Sequence, residues 1–134
     1  MKYYLDTNII IYALRDSFPG IKEHFMRTPA QSIVIPSVVL AEIEYGARKC
    51  TDYTATIDAY NRFTAYFKQA AFTEKAAAYY GEIRAKLESN GTPIGANDLM
   101  IAATVMAENG VLVTHNTREF SRIDGLMLED WCVE

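Results

Sequence analysis

Residues 3–14 read "YYLDTNIIIYAL". The β-prone opening predicts a short strand over residues 2–5, stopped by Asp6. A helix from Thr7 to Arg15 follows, with Asp6 or Thr7 as its cap. A strand that passes at once into a helix is the opening unit of an alternating α/β chain. It also sets a problem. Asp6 lies between two segments that both look buried. It is either a helix cap, accepting from otherwise unsatisfied N–H groups, or a ligand for a cation.

The rest of the chain repeats the alternation. "FPG" at 18–20 reads as a turn, followed by a short helix over Ile21–Arg27. "SIVIPS" at 32–37 is a β-branched strand ended by Pro36. Ser37 then caps a helix that runs to Arg48. Thr51 or Asp52 opens a helix to Lys68, with Ile57, Tyr60, Phe63, Thr64 and Phe67 as its apolar stripe. "AAF" at 70–72 is a short strand, and Thr73 opens a long helix to Ser89. The breaker-rich loop "NGTPIG" leads to a helix that starts at Asn97 or Asp98 and is stopped after Asn109 by Gly110. "VLVT" at 111–114 is a wholly apolar strand; "HNTREF" is a loop with a helical turn; Leu126–Glu129 is a last strand. Continuous apolar strands suit a parallel sheet covered on both faces. The expected architecture is therefore a three-layer α/β domain with a mostly parallel central sheet. Sites in such sheets form outside the carboxyl ends of the strands.

The totals agree with one ordinary domain. The chain has 134 residues, half of them hydrophobic and 22% charged. That length buries about two-thirds of its unfolded surface, so no staple is required. No apolar run reaches the roughly 18–20 residues of a membrane span. Asp6 and Asn8 interrupt the first apolar stretch, which excludes a signal peptide. Cys50 and Cys132 show no metal or redox spacing and read as reduced thiols of a cytoplasmic protein. The net charge of −4 argues against a basic nucleic-acid coat. It leaves room for a carboxylate-lined site that recruits cations.

Two further carboxylates share the anomaly of Asp6. Glu42 lies within "VVLAEIEYGA" and Asp98 within "ANDLMIAA". Each sits among residues that want burial, where a lone carboxylate is costly. A group of them makes sense around a hard cation such as Mg²⁺ or Mn²⁺. A site of that kind can hydrolyse phosphodiesters, because the metal supplies an activated water. Taken singly, each residue has a plainer reading. Asp6 and Asp98 are at helix starts and could be caps; Glu42 could be an exposed neighbour of Glu44. Asn116 after a strand is a common turn residue. His24 reads as a surface residue. His115 has no second histidine at ligand spacing, which argues against zinc. The Tyr/Phe stripes at 57–67 and 76–83 read as core or partner interface.

Four segments together resemble the PIN-domain ribonucleases: "YYLDTN" at the start, "IPSVVLAEIEYGA" at 35–47, "GTPIGANDLMIAA" at 91–103 and "LVTHNTREFSRIDGL" at 112–126. More narrowly they resemble VapC-type toxins of bacterial toxin–antitoxin modules. The resemblance implies an α/β/α PIN-like fold over the whole chain and a Mg²⁺- or Mn²⁺-dependent endoribonuclease. It makes Asp6 and Asp98 the main metal ligands and Glu42 the third acidic residue. At the fourth position many relatives carry an aspartate where this chain has Asn116; Glu119, one turn on, could substitute. Asn116 can still offer a carbonyl oxygen. Thr7, Asn8 and Thr114 would orient the carboxylates. The implied substrate is structured RNA, with the anticodon region of initiator tRNA as the subgroup's target. Arg15, Arg48, Lys49, Arg84, Lys86 and Arg118 are candidate phosphate contacts. The implied partners are a cognate antitoxin and a second copy of the chain.

Two other classes compete. A phosphatase with an aspartate nucleophile after the first strand commonly needs a second acid two residues on, where this chain has Asn8. A PIN-like RNA-binding or regulatory domain that has lost activity is favoured by Asn116 and opposed by Asp6, Glu42 and Asp98.

Overall fold

A computed structural model describes residues 1–133. Five short strands alternate with helices: β1 (Tyr3–Leu5), β2 (Ile33–Pro36), β3 (Lys68–Ala70), β4 (Val111–Val113) and β5 (Met127–Glu129). The helices are α1 (Thr7–Arg15), α2 (Pro19–Arg27), α3 (Ser37–Arg48), α4 (Tyr53–Thr64), α5 (Glu74–Ser89), α6 (Ala96–Ala107) and α7 (Thr117–Phe120). The strands form one sheet in the order β3-β2-β1-β4-β5, and every pairing is parallel. Helices flank the sheet, which is the three-layer α/β/α arrangement that the alternation implied.

The order explains where a site can form. The chain builds β1, β2 and β3 outward in one direction, then returns to add β4 and β5 on the other side of β1. The direction reverses between β1 and β4, and at such a switch point the loops part and leave a crevice. β1, β2 and β4 are the most deeply buried strands. Leu5, Ile33, Ile35, Leu112 and Val113 are all essentially inaccessible. That burial on both faces is why they are continuous apolar runs.

Several local expectations shift. "FPG" is not a free turn: Pro19 is the first residue of α2, where its missing N–H costs nothing. Gly20 is buried there because an added Cβ would lie 2.8 Å from the Trp131 carbonyl oxygen. Helix α4 stops at Thr64, not Lys68, and β3 begins at Lys68 rather than at Ala70. The register with β2 decides this, since Lys68 pairs with Val34 and Ala70 with Pro36. Ser37 is inside α3, whose cap position is Pro36, and α6 starts at Ala96 behind Gly95. Gly110 does more than follow a helix: a Cβ there would overlap the Tyr4 ring. The left-handed residue that ends α6 is Asn109, with φ 55°.

The aromatic stripe of α4 is half-buried and packs against the core. Phe63 and Phe67 pack edge-on, 5.3 Å between centroids, and both meet Phe25. Trp131 is buried against Phe25 and Tyr3. His24 is not a free surface residue; it stacks flat on Trp131 at 5.0 Å. Burial lowers its pKa, with the Arg27 charge acting in the same direction. Among the described residues no helix is long and apolar enough to cross a membrane.

Candidate active site

Asp6 leaves the end of β1 and Thr114 leaves the end of β4, so both stand at the switch point. The Asp6 N–H donates to the Val113 carbonyl at 2.9 Å, which continues the β1–β4 ladder by one residue. Asp6 is 5% exposed and Thr114 fully buried. The Thr114 hydroxyl donates to Asp6 Oδ2 at 2.8 Å. The Thr7 N–H donates to the other oxygen, Oδ1, at 2.8 Å. Asp6 is therefore the cap of α1, and its carboxylate is also held in a buried crevice, so acting as a cap does not take it out of reach of a cation.

The network extends both ways. The Thr7 hydroxyl donates to Glu42 Oε1 at 2.6 Å, and Asn97 Nδ2 donates to Glu42 Oε2 at 3.4 Å. On the far side, the Asn116 N–H donates to the Thr114 hydroxyl at 3.0 Å. Thr7 is the hinge of this arrangement: its backbone serves Asp6 and its side chain serves Glu42. Because α1 begins directly at the end of β1 and α3 directly after β2, the first residue of α1 meets the second turn of α3 across 35 positions of sequence.

Charge is concentrated here. Burial raises the Asp6 carboxyl above its usual range, and the Glu42 charge adds to this, while the Thr114 and Thr7 bonds oppose it. Asp98, in the first turn of α6, is raised to about 6 by burial and then by the charges of Asp6, Glu42 and Glu119. Four carboxylates thus share one field. Beside them opens a cleft of about 670 Å³ bordered by Thr7, Glu42 and Asn97, with Val38, Tyr45 and Met100 as its apolar wall.

The expected residues are not all placed alike. Thr7 and Thr114 hold carboxylates as anticipated. Asn8 does not: it is exposed on α1 and makes no side-chain hydrogen bond among the described residues. Consecutive helical residues point about 100° apart, so a helix that turns Thr7 toward Glu42 turns Asn8 away. Asn116 meets the network through its backbone, as the first capping residue of α7. Glu119 contributes charge to Asp98. Asn97 was missed, because beside Asp98 it looked only like a helix start. Of the basic candidates, Arg48 pairs with Glu44 and stacks on Tyr53, Arg84 pairs with Glu88, and Lys86 pairs with Asp124. Arg15, Lys49 and Arg118 form no ion pair among the described residues.

An oxygen-only donor set that keeps one carboxyl up to about 6 by mutual repulsion fits a hard divalent cation. Asp6, Glu42 and Asp98 are the residues that could hold it. They stand apart as a trio, however: among the described residues the one group of three with ligand atoms within 4.8 Å of one another is His115, Asp130 and Cys132. Cys132 is buried, and its thiol is pushed up to about 12 by that burial and by the Asp130 carboxylate.

A parallel five-stranded sheet with acidic side chains at its switch point defines a class, and sequence comparison names it. The PIN domain family model matches residues 3–126. "Ribonuclease VapC2" of Rickettsia felis is 41% identical over 134 residues, covering 98% of each chain. "tRNA(fMet)-specific endonuclease VapC" of Salmonella typhimurium is 36% identical over 132 residues, covering 98% of this chain and 99% of that one. The structure described as "Crystal structure of DNA bound VapBC from Salmonella typhimurium" superposes with a TM-score of 0.92 at 36% identity, covering 98% of this chain and 99% of that one. The chain belongs to the PIN-domain family, in its VapC ribonuclease branch.

Proposed function

We propose that this chain is the toxin of a toxin–antitoxin module: a cytoplasmic, single-domain endoribonuclease that depends on Mg²⁺, or Mn²⁺, and cuts tRNA, in particular the anticodon region of initiator tRNA. Translation stops until a cognate antitoxin silences the enzyme. The observation that carries the reading is the buried Asp6 at the β1–β4 switch point, sharing one electrostatic field with Glu42, Asp98 and Glu119. The names of the two relatives support the substrate class.

Asp6 and Asp98 would ligate the metal, with Glu42 as the third acid. Bound there, the metal would supply a water of lowered pKa and neutralise charge on the phosphate. The chain's own part is positioning. Thr114 and the Thr7 N–H fix both oxygens of Asp6, and Thr7 with Asn97 fixes both oxygens of Glu42. Asn116 keeps the Thr114 hydroxyl in place through its N–H. Glu119 or the Asn116 carbonyl would complete the fourth position. Arg15, Lys49 and Arg118 are free to meet phosphates, and the apolar wall at Val38, Tyr45 and Met100 accepts a base or an antitoxin segment. An antitoxin arginine reaching the carboxylates would compete with the metal. The working assembly is a toxin dimer with antitoxin; the similar protein of Salmonella typhimurium is described as a DNA-bound VapBC.

Sequencing of RNA ends after brief induction tests the whole reading. New 5′ ends within one tRNA, absent on induction of Asp6→Asn, support it. Intact tRNA, or cleavage that persists in excess EDTA, refutes the activity or the metal role respectively.

A further inference from the structure

We propose that His115, Asp130 and Cys132 form a second metal site, for a transition-metal ion of the zinc type, distinct in donors and in place from the carboxylate crevice. The site follows from strand register. β4 and β5 are parallel neighbours with Val113 opposite Glu129, and the Thr114 N–H donates to the Glu129 carbonyl at 2.9 Å. Residues leaving the two strand ends therefore emerge side by side. His115 leaves β4; Asp130 and Cys132 leave β5.

The three ligand atoms already lie within 4.8 Å of one another. Tetrahedral zinc holds such atoms roughly 3.4–3.8 Å apart, so closure needs movements of about 1 Å or less. The parts are also held in position. The Cys132 N–H donates to Asp130 Oδ1 at 2.9 Å, which aims Oδ2 at His115 Nδ1, 2.9 Å away. The His115 ring packs against Phe18, centroids 5.4 Å apart, and edge-on to Tyr12. The Cys132 side is fixed from beneath by buried Trp131 and by Gly20, whose Cβ-less face admits the carbonyls of residues 131–133.

One nitrogen, one oxygen and one sulfur make a borderline-soft donor set, which selects zinc over magnesium. His115 is exposed, so a fourth position opens to water or an outside ligand, and metal can enter without unfolding. Binding releases the thiol proton to solvent and requires the Nε2–H tautomer of His115, so that the Nδ1 lone pair faces the metal. The occupied site would tie the chain's last turn to the loop that carries Thr114 and Asn116. This inference does not depend on the ribonuclease reading.

The test is a Co²⁺ titration of the full chain in a Cys50→Ser background, which removes the exposed thiol. A thiolate-to-cobalt charge-transfer band should rise and saturate at one equivalent, and Zn²⁺ should displace it. Cys132→Ser should abolish the band. His115→Gln, an exposed change that leaves the fold intact, should weaken Co²⁺ at least tenfold. Asp6→Asn should leave the band unchanged, since oxygen ligands give no such transition. Absence of the band, its survival in Cys132→Ser, or indifference to His115→Gln each overturns the proposal.

Discussion

Two clusters share the carboxyl edge of one sheet and have opposite electrostatics. At the β1–β4 crevice Asp6, Glu42, Asp98 and Glu119 repel one another, and two of them are raised in pKa. One strand over, at β4–β5, Asp130 faces a histidine and a backbone N–H. The crevice is frustrated without a cation; the corner is satisfied without one. The crevice has oxygen donors alone, while the corner mixes nitrogen, oxygen and sulfur. One sheet edge thus carries an acidic crevice whose repulsion a cation would relieve and, one strand over, a corner whose groups are already paired.

The largest effect should come from breaking the crevice itself. Asp6→Asn keeps the shape and the Thr114 contact but removes the charge proposed to hold the metal. RNA cleavage should fall by more than about 100-fold, beyond the cost of losing an orienting group, with the circular dichroism spectrum unchanged. Full activity in this variant would dissociate the crevice from catalysis. Thr114→Val should come next. It deletes the donor to Asp6 Oδ2 and the acceptor for the Asn116 N–H. Cleavage should drop roughly 10- to 100-fold, and a Mg²⁺ titration should reach half-maximal activity only at higher Mg²⁺. Stability should fall by about 1–2 kcal/mol, as buried polar groups lose partners.

Much of this contrast was legible in sequence, and the missing part has a physical reason. Strand "VLVT" and the β-prone start placed Asp6 and Thr114 at strand ends, because burial on both faces leaves an unmistakable apolar run. Glu42 and Asp98 stood out as carboxylates in apolar surroundings. Asn97 did not, since an asparagine at a helix start has a sufficient local explanation. Asn8 was expected to support the site, yet the helical rotation that serves Thr7 removes it. His115 argued against zinc when only its own neighbourhood was read. Asp130 and Cys132 reach it through the β4–β5 register, 15 and 17 positions away, and no spacing rule encodes that pairing. The end of α4 was misplaced for the same reason: register with β2, not propensity, decides where Lys68 goes.

The pH dependence of metal-free stability separates the clusters further. The Asp98 carboxyl is raised to about 6 in the folded chain from an ordinary value of 3.8. Between those values the folded state binds more protons than the unfolded one, so stability falls as pH rises. This contribution is present in full below 3.8 and lost above about 6. Asp98→Asn removes the penalty. In EDTA it should raise stability at pH 7.5 by about 1 kcal/mol, after discounting for the half-exposed carboxyl. The gain should vanish at pH 4. Urea denaturation at the two pH values checks the sign. A variant less stable than the parent at pH 7.5 would mean that Asp98 is held by attraction, not repulsion.

The smallest effect should come from the corner when no metal is present. His115 and Asp130 form a 2.9 Å pair, but the histidine side chain is 44% exposed. Solvent screens such pairs, and the cost of ordering the side chains offsets most of the gain. The tail does not need this contact, because Trp131 is buried between Tyr3 and Phe25 and Cys132 bonds Asp130 through its own N–H. His115→Gln in EDTA should therefore change unfolding free energy by less than about 0.5 kcal/mol. A loss above about 2 kcal/mol would show that the ion pair itself anchors the tail. The corner would then be a structural clasp complete without a metal, and its contrast with the crevice would be one of strength rather than of ligand.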